Sequence, residues 1–179
     1  LLSAHRSVDD MEVLCRAHQP THAVMGDPDA AAALAERLTD LSAVTVESGA
    51  GVLDDLVAEP NVDSVVAGIV GFAGLRPTLS AARAGKTILL ANKEALVSAG
   101  GLFMETVRQG GATLLPVDSE HNAMHQCLPV ASVGRPDMAD VAKIILTASG
   151  GPFRGRSRSS LDAVTPAEAC VHPNCSMCQ

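Results

Sequence analysis

Residues 64–92 read SVVAGIVGFAGLRPTLSAARAGKTILLAN, in which an Ala-rich segment separates two apolar runs. The apolar runs, Ser64–Val70 and Thr87–Ala91, predict β-strands because Val, Ile and Leu predominate in them. Between them the pattern predicts a helix over Pro77–Ala84, opened by a proline and stopped at Gly85. Strand, helix and strand in this order are typical of a parallel α/β sheet.

The same alternation extends along the rest of the chain. A second clear helix is predicted after Asp27, an N-cap residue, with Pro28 at its first position and its end near Leu38. The last four apolar runs are nearly continuous, as expected of parallel strands covered on both faces. We therefore predict a doubly wound, mainly parallel sheet. Its other strands are predicted at Ala23–Met25, Val44–Glu47, Thr113–Val117 and Lys143–Ala148, and its other helices at Val8–His18, Glu94–Arg108 and His121–Leu128.

The composition excludes several classes of protein. Hydrophobic residues make up 47% of the chain and charged residues 18%, which favours a globular fold over disorder. A net charge of −7, with three Phe and no Trp or Tyr, makes nucleic acid a poor partner. No apolar stretch reaches the roughly 18 residues of a membrane span. Five cysteines favour reduced thiols in a cytosol-like compartment, with Cys15 and Cys127 as buried packing residues.

Polar or Gly-rich segments follow four successive predicted strands, at residues 68–71, 92–94, 118–120 and 149–151. In an open α/β sheet, ligands bind at the carboxyl ends of the strands, so the four segments are expected to share one edge. Strand ends can also be polar simply because they meet water. Four such ends in succession favour a binding site.

Asp118 and Glu120 are the candidate metal ligands. In an extended chain, residues two apart project to the same side, with Ser119 pointing the other way. Two adjacent carboxylates repel unless they are protonated or share a cation, and oxygen ligands suit Mg²⁺ or Mn²⁺. The alternative is that both acids simply favour the N-terminus of the helix that follows.

Two other polar segments are open to a functional or a plain structural interpretation. Lys93, between Asn92 and Glu94, could contact a phosphate or hydroxyl of a substrate, or could begin a solvated helix. Ser149, followed by two glycines, offers a hydroxyl and open backbone N–H groups to an anion, but a Gly pair is also a common turn. Neither segment decides the function by itself.

The C-terminal segment suggests a different class of function. Cys175 and Cys178 have the CxxC spacing of zinc and redox sites, and Cys170 with His172 would complete four ligands. Cys170 and His172 lie closer together than is usual in a structural zinc site. A non-catalytic thiol or zinc-binding protein is therefore the alternative hypothesis.

Longer strings carry a resemblance to a known family. They are AGIVGFAGLRPTLSAARAGKTILLANKE (67–94), LLANKEALVSAGGLFM (89–104), LLPVDSEHNAMHQCLP (114–129), ILTASGGPFRG (145–155) and VTPAEACVHPN (164–174). They resemble 1-deoxy-D-xylulose 5-phosphate reductoisomerases. The resemblance implies an enzyme that depends on NADPH and a divalent cation and makes 2-C-methyl-D-erythritol 4-phosphate in non-mevalonate isoprenoid biosynthesis. It also implies a bacterial cytoplasmic location and a homodimer.

The resemblance also implies roles for individual residues. Lys93, Asp118 and Glu120 match the catalytic set of the family, and Asp118 and Glu120 match its metal ligands. The matches to substrate contacts are Lys93, Ser119, Glu120, Ser149 and His172, and those to NADPH contacts are Asn92 and Glu94, with Arg6 and Ser7 where the family meets the 2′-phosphate.

The chain also departs from the family pattern. The Gly-rich GxTGSIG turn would precede Leu1, so the Rossmann-like sheet is expected to lack its first strand. The family's HPNWSMG segment reads HPNCSMC, with Cys175 in place of Trp and Cys178 in place of Gly. We therefore expect an incomplete NADPH-binding domain over 1–117, the start of an α+β catalytic domain over 118–179, and little or no turnover by this chain alone.

Overall fold

The computed structural model describes residues 1–132, 135–147 and 151–171. The chain forms two compact units, Leu1–Asp140 and Val141–Gln179. Among the described helices, none combines the length and the apolar character that a membrane crossing requires.

The first unit alternates short parallel strands with helices. Its elements in chain order are β1 (Leu2–Ala4), α1 (Val8–His18), β2 (His22–Met25), α2 (Pro28–Arg37), β3 (Thr45–Ser48), α3 (Ala50–Leu56), β4 (Ser64–Ala67), a 3₁₀ turn (Gly71–Gly74), α4 (Leu75–Arg83), β5 (Thr87–Leu90), α5 (Glu94–Gly110), β6 (Thr113–Pro116), α6 (Ser119–Cys127), and the antiparallel pair β7 (Val130–Ser132) and β8 (Arg135–Pro136).

The six strands from β1 to β6 form two three-stranded parallel sheets. One has the order β1-β2-β3 and the other the order β4-β5-β6. In the second sheet Ala67 pairs with Leu90, and Leu90 pairs with Pro116, so the three strands end level with one another. The predicted Rossmann-like α/β class is confirmed, and the segments that follow β4, β5 and β6 leave from one edge.

Each sheet has its own hydrophobic core. In the first, Met11 and Cys15 of α1 pack with Met25 of β2 and Leu34 of α2. In the second, Phe103 of α5 is fully buried with residues of α4 and β5. Cys15 is fully buried, as predicted, and its burial raises the pKa of the thiol.

The best-predicted helix, α2, begins as its sequence indicates. The Asp27 carboxylate accepts hydrogen bonds from the backbone N–H groups of Asp29 (3.0 Å) and Ala30 (3.2 Å). Pro28 occupies the first turn, where its missing N–H has no helical partner to lose. The start of α2 is therefore set by local chemistry.

The strand predicted over Lys143–Ala148 is wrong for residues 143–147, which are neither strand nor helix; Ala148 lies outside the described residues. A strand needs a neighbour to receive its backbone hydrogen bonds. The described part of the second unit contains no strand, but only two 3₁₀ turns, Gly151–Phe153 and Arg158–Leu161, and the short helix α7 (Pro166–Ala169). Ile145 is accordingly 72% exposed.

Several boundaries differ from those predicted, most by one or two residues, and three of them lie near the strand ends of the second sheet. The strand expected over Ser64–Val70 ends at Ala67, because Gly68 follows and Gly71 takes a positive φ of 74° in the 3₁₀ turn. The next helix then begins at Leu75, two residues before Pro77. The helix expected from His121 begins at Ser119.

The expected burial of Cys127 is also wrong. This residue is exposed at the last position of α6, a helix with no buried residue. An apolar residue type does not bury itself when its helix has no apolar face packed on the core.

Candidate functional site

The candidate site lies where β5 and β6 end side by side. The chain passes from Leu90 of β5 into α5 and from Pro116 of β6 into α6, so the two connections leave from adjacent strand ends. Lys93 lies in the first connection and Asp118 in the second. The Lys93 Nζ donates a hydrogen bond of 2.8 Å to Asp118 Oδ2.

This ion pair stabilises the charged form of both partners. The hydrogen bond from Lys93 is the largest cause that lowers the pKa of Asp118, and the Glu120 side chain and the charge of His121 lower it further. The same hydrogen bond and the charge of Asp118 raise the pKa of Lys93. A carboxylate and an ammonium therefore stand together at neutral pH.

The expected extended conformation through Asp118 and Glu120 is not observed. Asp118 has φ −55° and ψ 131°, but Ser119 already begins α6, so Glu120 lies in the first helical turn. The helix is held at this point by the Asn122 N–H, which donates to Asp118 O at 2.8 Å, and by the Asn122 side chain, which donates to Pro116 O at 2.7 Å. The argument from alternating side chains therefore fails.

The two carboxylates nevertheless lie near each other. Glu120 contributes to the lowered pKa of Asp118, and its Oε2 accepts a hydrogen bond of 2.7 Å from Ser119 Oγ. The Asp118 side chain makes no capping bond to α6, so helix capping does not account for this acid, whereas Glu120 lies in the first turn of α6, as the alternative of acids at a helix N-terminus expects.

The donor set suits a hard divalent cation. Within residues 1–132, 135–147 and 151–171, no cluster of three or more His, Cys, Asp or Glu could hold a metal. Mg²⁺ is commonly held by one or two carboxylates while keeping several waters, so the Asp118 and Glu120 oxygens are compatible with it. Zinc, which prefers four His or Cys ligands, has no such set in these ranges.

Asn92 has a role that sequence reasoning missed. Its side chain, 3% exposed as a residue, donates hydrogen bonds to Ile69 O and, at 2.9 Å, to Gly71 O. Its Oδ1 accepts from the Ala95 N–H at 3.3 Å. The amide thus ties the turn after β4 to the start of α5. The one available signal in the sequence was a polar residue placed directly after a strand that was predicted to be buried.

Glu94, Arg6 and Ser7 are exposed and come after the ends of β5 and β1. Glu94 is the first residue of α5. Arg6 follows β1, and its Nε donates to Asp27 Oδ2 at 2.7 Å. Ser7 precedes α1 without making a side-chain capping bond. Ser149, His172, Cys175 and Cys178 lie outside the described residues, and Cys170 is exposed at the end of α7.

Two family models match the chain. The model described as 1-deoxy-D-xylulose 5-phosphate reductoisomerase matches residues 1–100, and the model of the C-terminal domain of the same enzyme matches residues 114–179. Among curated relatives, the reductoisomerase of Ralstonia pickettii is 54% identical over 97% of this chain and 43% of its own length. That of Nitrosococcus oceani is 54% identical over 98% of this chain and 45% of its own length.

Solved structures give the same match. The Zymomonas mobilis 1-deoxy-D-xylulose 5-phosphate reductoisomerase, in complex with NADPH, superposes with a TM-score of 0.84 at 46% identity, over 96% of this chain and 44% of that one. A reductoisomerase in complex with NADPH, fosmidomycin and magnesium gives 0.80 at 42% identity, over 98% and 44%. The chain therefore spans less than half the length of the relatives that it matches.

Proposed function

The chain belongs to the 1-deoxy-D-xylulose 5-phosphate reductoisomerase family, and from this we propose that its residues serve the NADPH-dependent conversion of 1-deoxy-D-xylulose 5-phosphate into 2-C-methyl-D-erythritol 4-phosphate. The activity belongs to the whole reductoisomerase, of which this chain spans less than half the length. Its place is non-mevalonate isoprenoid biosynthesis, in a homodimeric enzyme of the bacterial cytoplasm.

The observation that carries the proposal is the ion pair of Lys93 and Asp118 at the carboxyl ends of β5 and β6, with Glu120 beside it. In the proposal, Asp118 and Glu120 hold a divalent cation, which would polarise a carbonyl oxygen as a Lewis acid. Lys93 is already held at this point, with its ammonium exposed to a ligand. Lys93 would donate hydrogen bonds to a substrate oxygen, and Ser119 would offer its hydroxyl to the same molecule.

Further contacts are proposed on the family match. Ser149 and His172 would complete the substrate site. NADPH, which supplies hydride, would be held near Glu94, and the turn that Asn92 fixes would shape the same edge of the sheet. Arg6 keeps an exposed guanidinium beside Asp27, and with Ser7 it would meet the 2′-phosphate.

We propose functional domains of 1–117 and 118–179, an NADPH-binding domain followed by the start of a catalytic domain. The change of family model between residues 100 and 114 supports a boundary in this region. The compact units divide later, after Asp140. The proposed boundary therefore lies near the change between the two family models and not at the division between the two compact units.

Metal binding tests the proposed site directly in the 179-residue chain. Mn²⁺ titrations followed by electron paramagnetic resonance should show binding that Asp118→Asn and Glu120→Gln each weaken by about tenfold or more. Asp10→Asn, which removes an exposed acid from α1, is the matched control and should change nothing. Equal Mn²⁺ affinity in all four proteins would contradict the proposed metal site.

An assay of NADPH consumption with 1-deoxy-D-xylulose 5-phosphate and Mn²⁺ tests whether this chain is active by itself. We expect little or no turnover by this chain alone, because catalysis requires the whole constellation of groups to be positioned at once. Turnover at a rate normal for a complete enzyme would show that these residues suffice.

A further inference from the structure

Two consecutive basic residues, His5 and Arg6, follow β1 at the carboxyl edge of the first sheet. β1 and β2 end level with each other. The connections that follow them stay together for one more step. The Gly26 N–H donates to Ala4 O at 2.9 Å, and the Asp27 N–H donates to His5 O at 3.1 Å. His5 and Arg6 therefore lie beside Gly26 and Asp27.

Arg6 is held at one nitrogen and open at the others. Its Nε donates to Asp27 Oδ2 at 2.7 Å, while its side chain stays 73% exposed. In the part of the chain that the structure describes, the guanidinium has no second partner. Its two terminal amino groups, which suit the oxygens of a phosphate, are thus open to a ligand.

The His5 ring fills a space that exists only because residue 26 is a glycine. A Cβ atom built on Gly26 would lie 2.5 Å from His5 Nδ1 and 3.4 Å from His5 Cε1. One edge of the ring therefore lies against the Gly26 backbone. His5 is exposed, and its ring makes no hydrogen bond to any described residue. The ring is thus held by contact alone, which leaves an imidazole N–H for a ligand.

The next residue adds a third donor. Ser7 is the N-cap residue of α1, but its side chain makes no capping bond. It also stands at the positive end of the α1 dipole, which favours an anion. The nearby Asp27 carboxylate is already bound by Arg6 and by two backbone N–H groups of α2. Three consecutive residues therefore offer an imidazole, a guanidinium and a hydroxyl beside a neutralised acid.

We propose that His5, held against Gly26, is a specificity-determining residue for the cofactor and donates a ring N–H to the 2′-phosphate that distinguishes NADPH from NADH. The inference rests on the proposed function, which brings this phosphate to Arg6 and Ser7 and gives His5 and Gly26 no role. A phosphate oxygen is a charged acceptor, and hydrogen bonds to charged groups are stronger than those to a neutral hydroxyl. His5 therefore favours the phosphorylated nucleotide.

A small nucleotide presents the 2′-phosphate to the 179-residue chain without the rest of the cofactor. At neutral pH, 2′-AMP should move the ring signals of His5 in carbon–proton NMR spectra, whereas 5′-AMP, with the same base and charge, should not. His5→Ala identifies these signals by their loss, and it should bind 2′-AMP about fivefold more weakly. His18→Ala removes an exposed histidine from the last turn of α1 and is the matched control, with unchanged affinity for 2′-AMP.

A second variant tests the position of the ring without removing it. In Gly26→Ala, the new methyl must push the His5 ring aside. The fold should persist, because that ring is the movable end of a side chain and Gly26 is not among the described glycines with a positive φ. Its affinity for 2′-AMP should fall about as far as that of His5→Ala. The double variant should bind no more weakly than His5→Ala, because both changes remove the same contact.

Comparison with Arg6→Ala separates this inference from the proposed function. If Arg6→Ala weakens 2′-AMP binding and His5→Ala does not, the role of His5 is wrong while the proposed 2′-phosphate site stands. If neither change matters, or if the unaltered chain does not bind 2′-AMP, the proposed site and the role of His5 are both wrong. An equal response of the His5 signals to 2′-AMP and 5′-AMP would also overturn the inference, since the ring would then meet any anion.

Discussion

The side chain of Asn92 lies directly against the backbone of Gly74. A Cβ atom built on Gly74 would lie 2.5 Å from Asn92 Nδ2 and 2.7 Å from Ile69 O, the carbonyl to which that nitrogen donates. The close approach leaves no room for a methyl group, and it holds the turn after β4 next to the start of α5.

Gly74→Ala should therefore destabilise the chain. The added methyl must displace a buried amide and a backbone carbonyl, and overpacking of this kind costs about 1–3 kcal/mol. Urea unfolding followed by circular dichroism measures the loss. Gly51→Ala, in helix α3 with no atom within 4 Å of the added Cβ, should leave the stability unchanged or slightly raised. Equal stability of Gly74→Ala and Gly51→Ala would contradict the close contact.

Asn92→Ala should also lower the free energy of unfolding. It leaves the carbonyls of Ile69 and Gly71 and the N–H of Ala95 without the amide that now binds them. With a buried unsatisfied group costing about 1–3 kcal/mol, we expect a total loss on the order of 2–4 kcal/mol. Asn92→Asp, which keeps the acceptor for Ala95 but loses the donor, separates the two contributions. A loss below the error of the unfolding measurement would argue against this network.

The contribution of Asp27 to stability should depend on pH. The Ala30 N–H is the largest cause that lowers the pKa of this carboxyl, followed by the hydrogen bond from Arg6. A carboxyl whose pKa is lower in the folded than in the unfolded chain stabilises the fold above its unfolded value, near pH 4, and loses this effect as the pH falls through the folded pKa.

Asp27→Ala should accordingly be less stable than the unaltered chain at pH 7, and the difference should shrink as the pH falls below about 4. Unfolding in urea at a series of pH values measures it. Asp27→Asn keeps a capping oxygen without the charge, so its loss should be smaller. A stability difference between Asp27→Ala and the unaltered chain that stays constant with pH would exclude a charge effect.

Lys93→Met should strengthen Mn²⁺ binding by a few-fold, the opposite of the effect expected for Asp118→Asn. The Lys93 ammonium now occupies Asp118 Oδ2 and competes with any cation for that oxygen. Water-proton relaxation during a Mn²⁺ titration measures the change. Lys143→Met, which removes an exposed lysine of the second unit, should have no effect. Weaker Mn²⁺ binding in Lys93→Met would mean that the lysine supports the site in another way.

Local signals predicted the fold where local chemistry decides it. Asp27 and Pro28 mark the start of α2, and α1 has the bounds expected of its amphipathic pattern. The strand predicted at residues 143–147 is wrong because an apolar run becomes a strand only beside a neighbouring strand. The β-propensity of a segment contains no information about such a neighbour. The sequence placed Lys93 and Asp118 at adjacent strand ends, but it could not show that Ser119 would begin a helix at once.

The role of Asn92 was beyond sequence reasoning for a related reason. The amide of Asn92 reaches a turn more than twenty residues away, at Ile69 and Gly71. These hydrogen bonds join distant parts of the chain, and periodicity in sequence reports only on near neighbours.

Because Cys15 is completely buried, the rate at which its thiol is modified measures how often the structure around helix α1 opens. Alkylating reagents reach a thiolate only when it is accessible, so the exposed Cys127 and Cys170 should react at once in the native protein. Cys15 can react only when α1 separates from β2 and α2. The rate of its alkylation therefore reports the local opening of this part of the fold, separately from any opening at the other sheet.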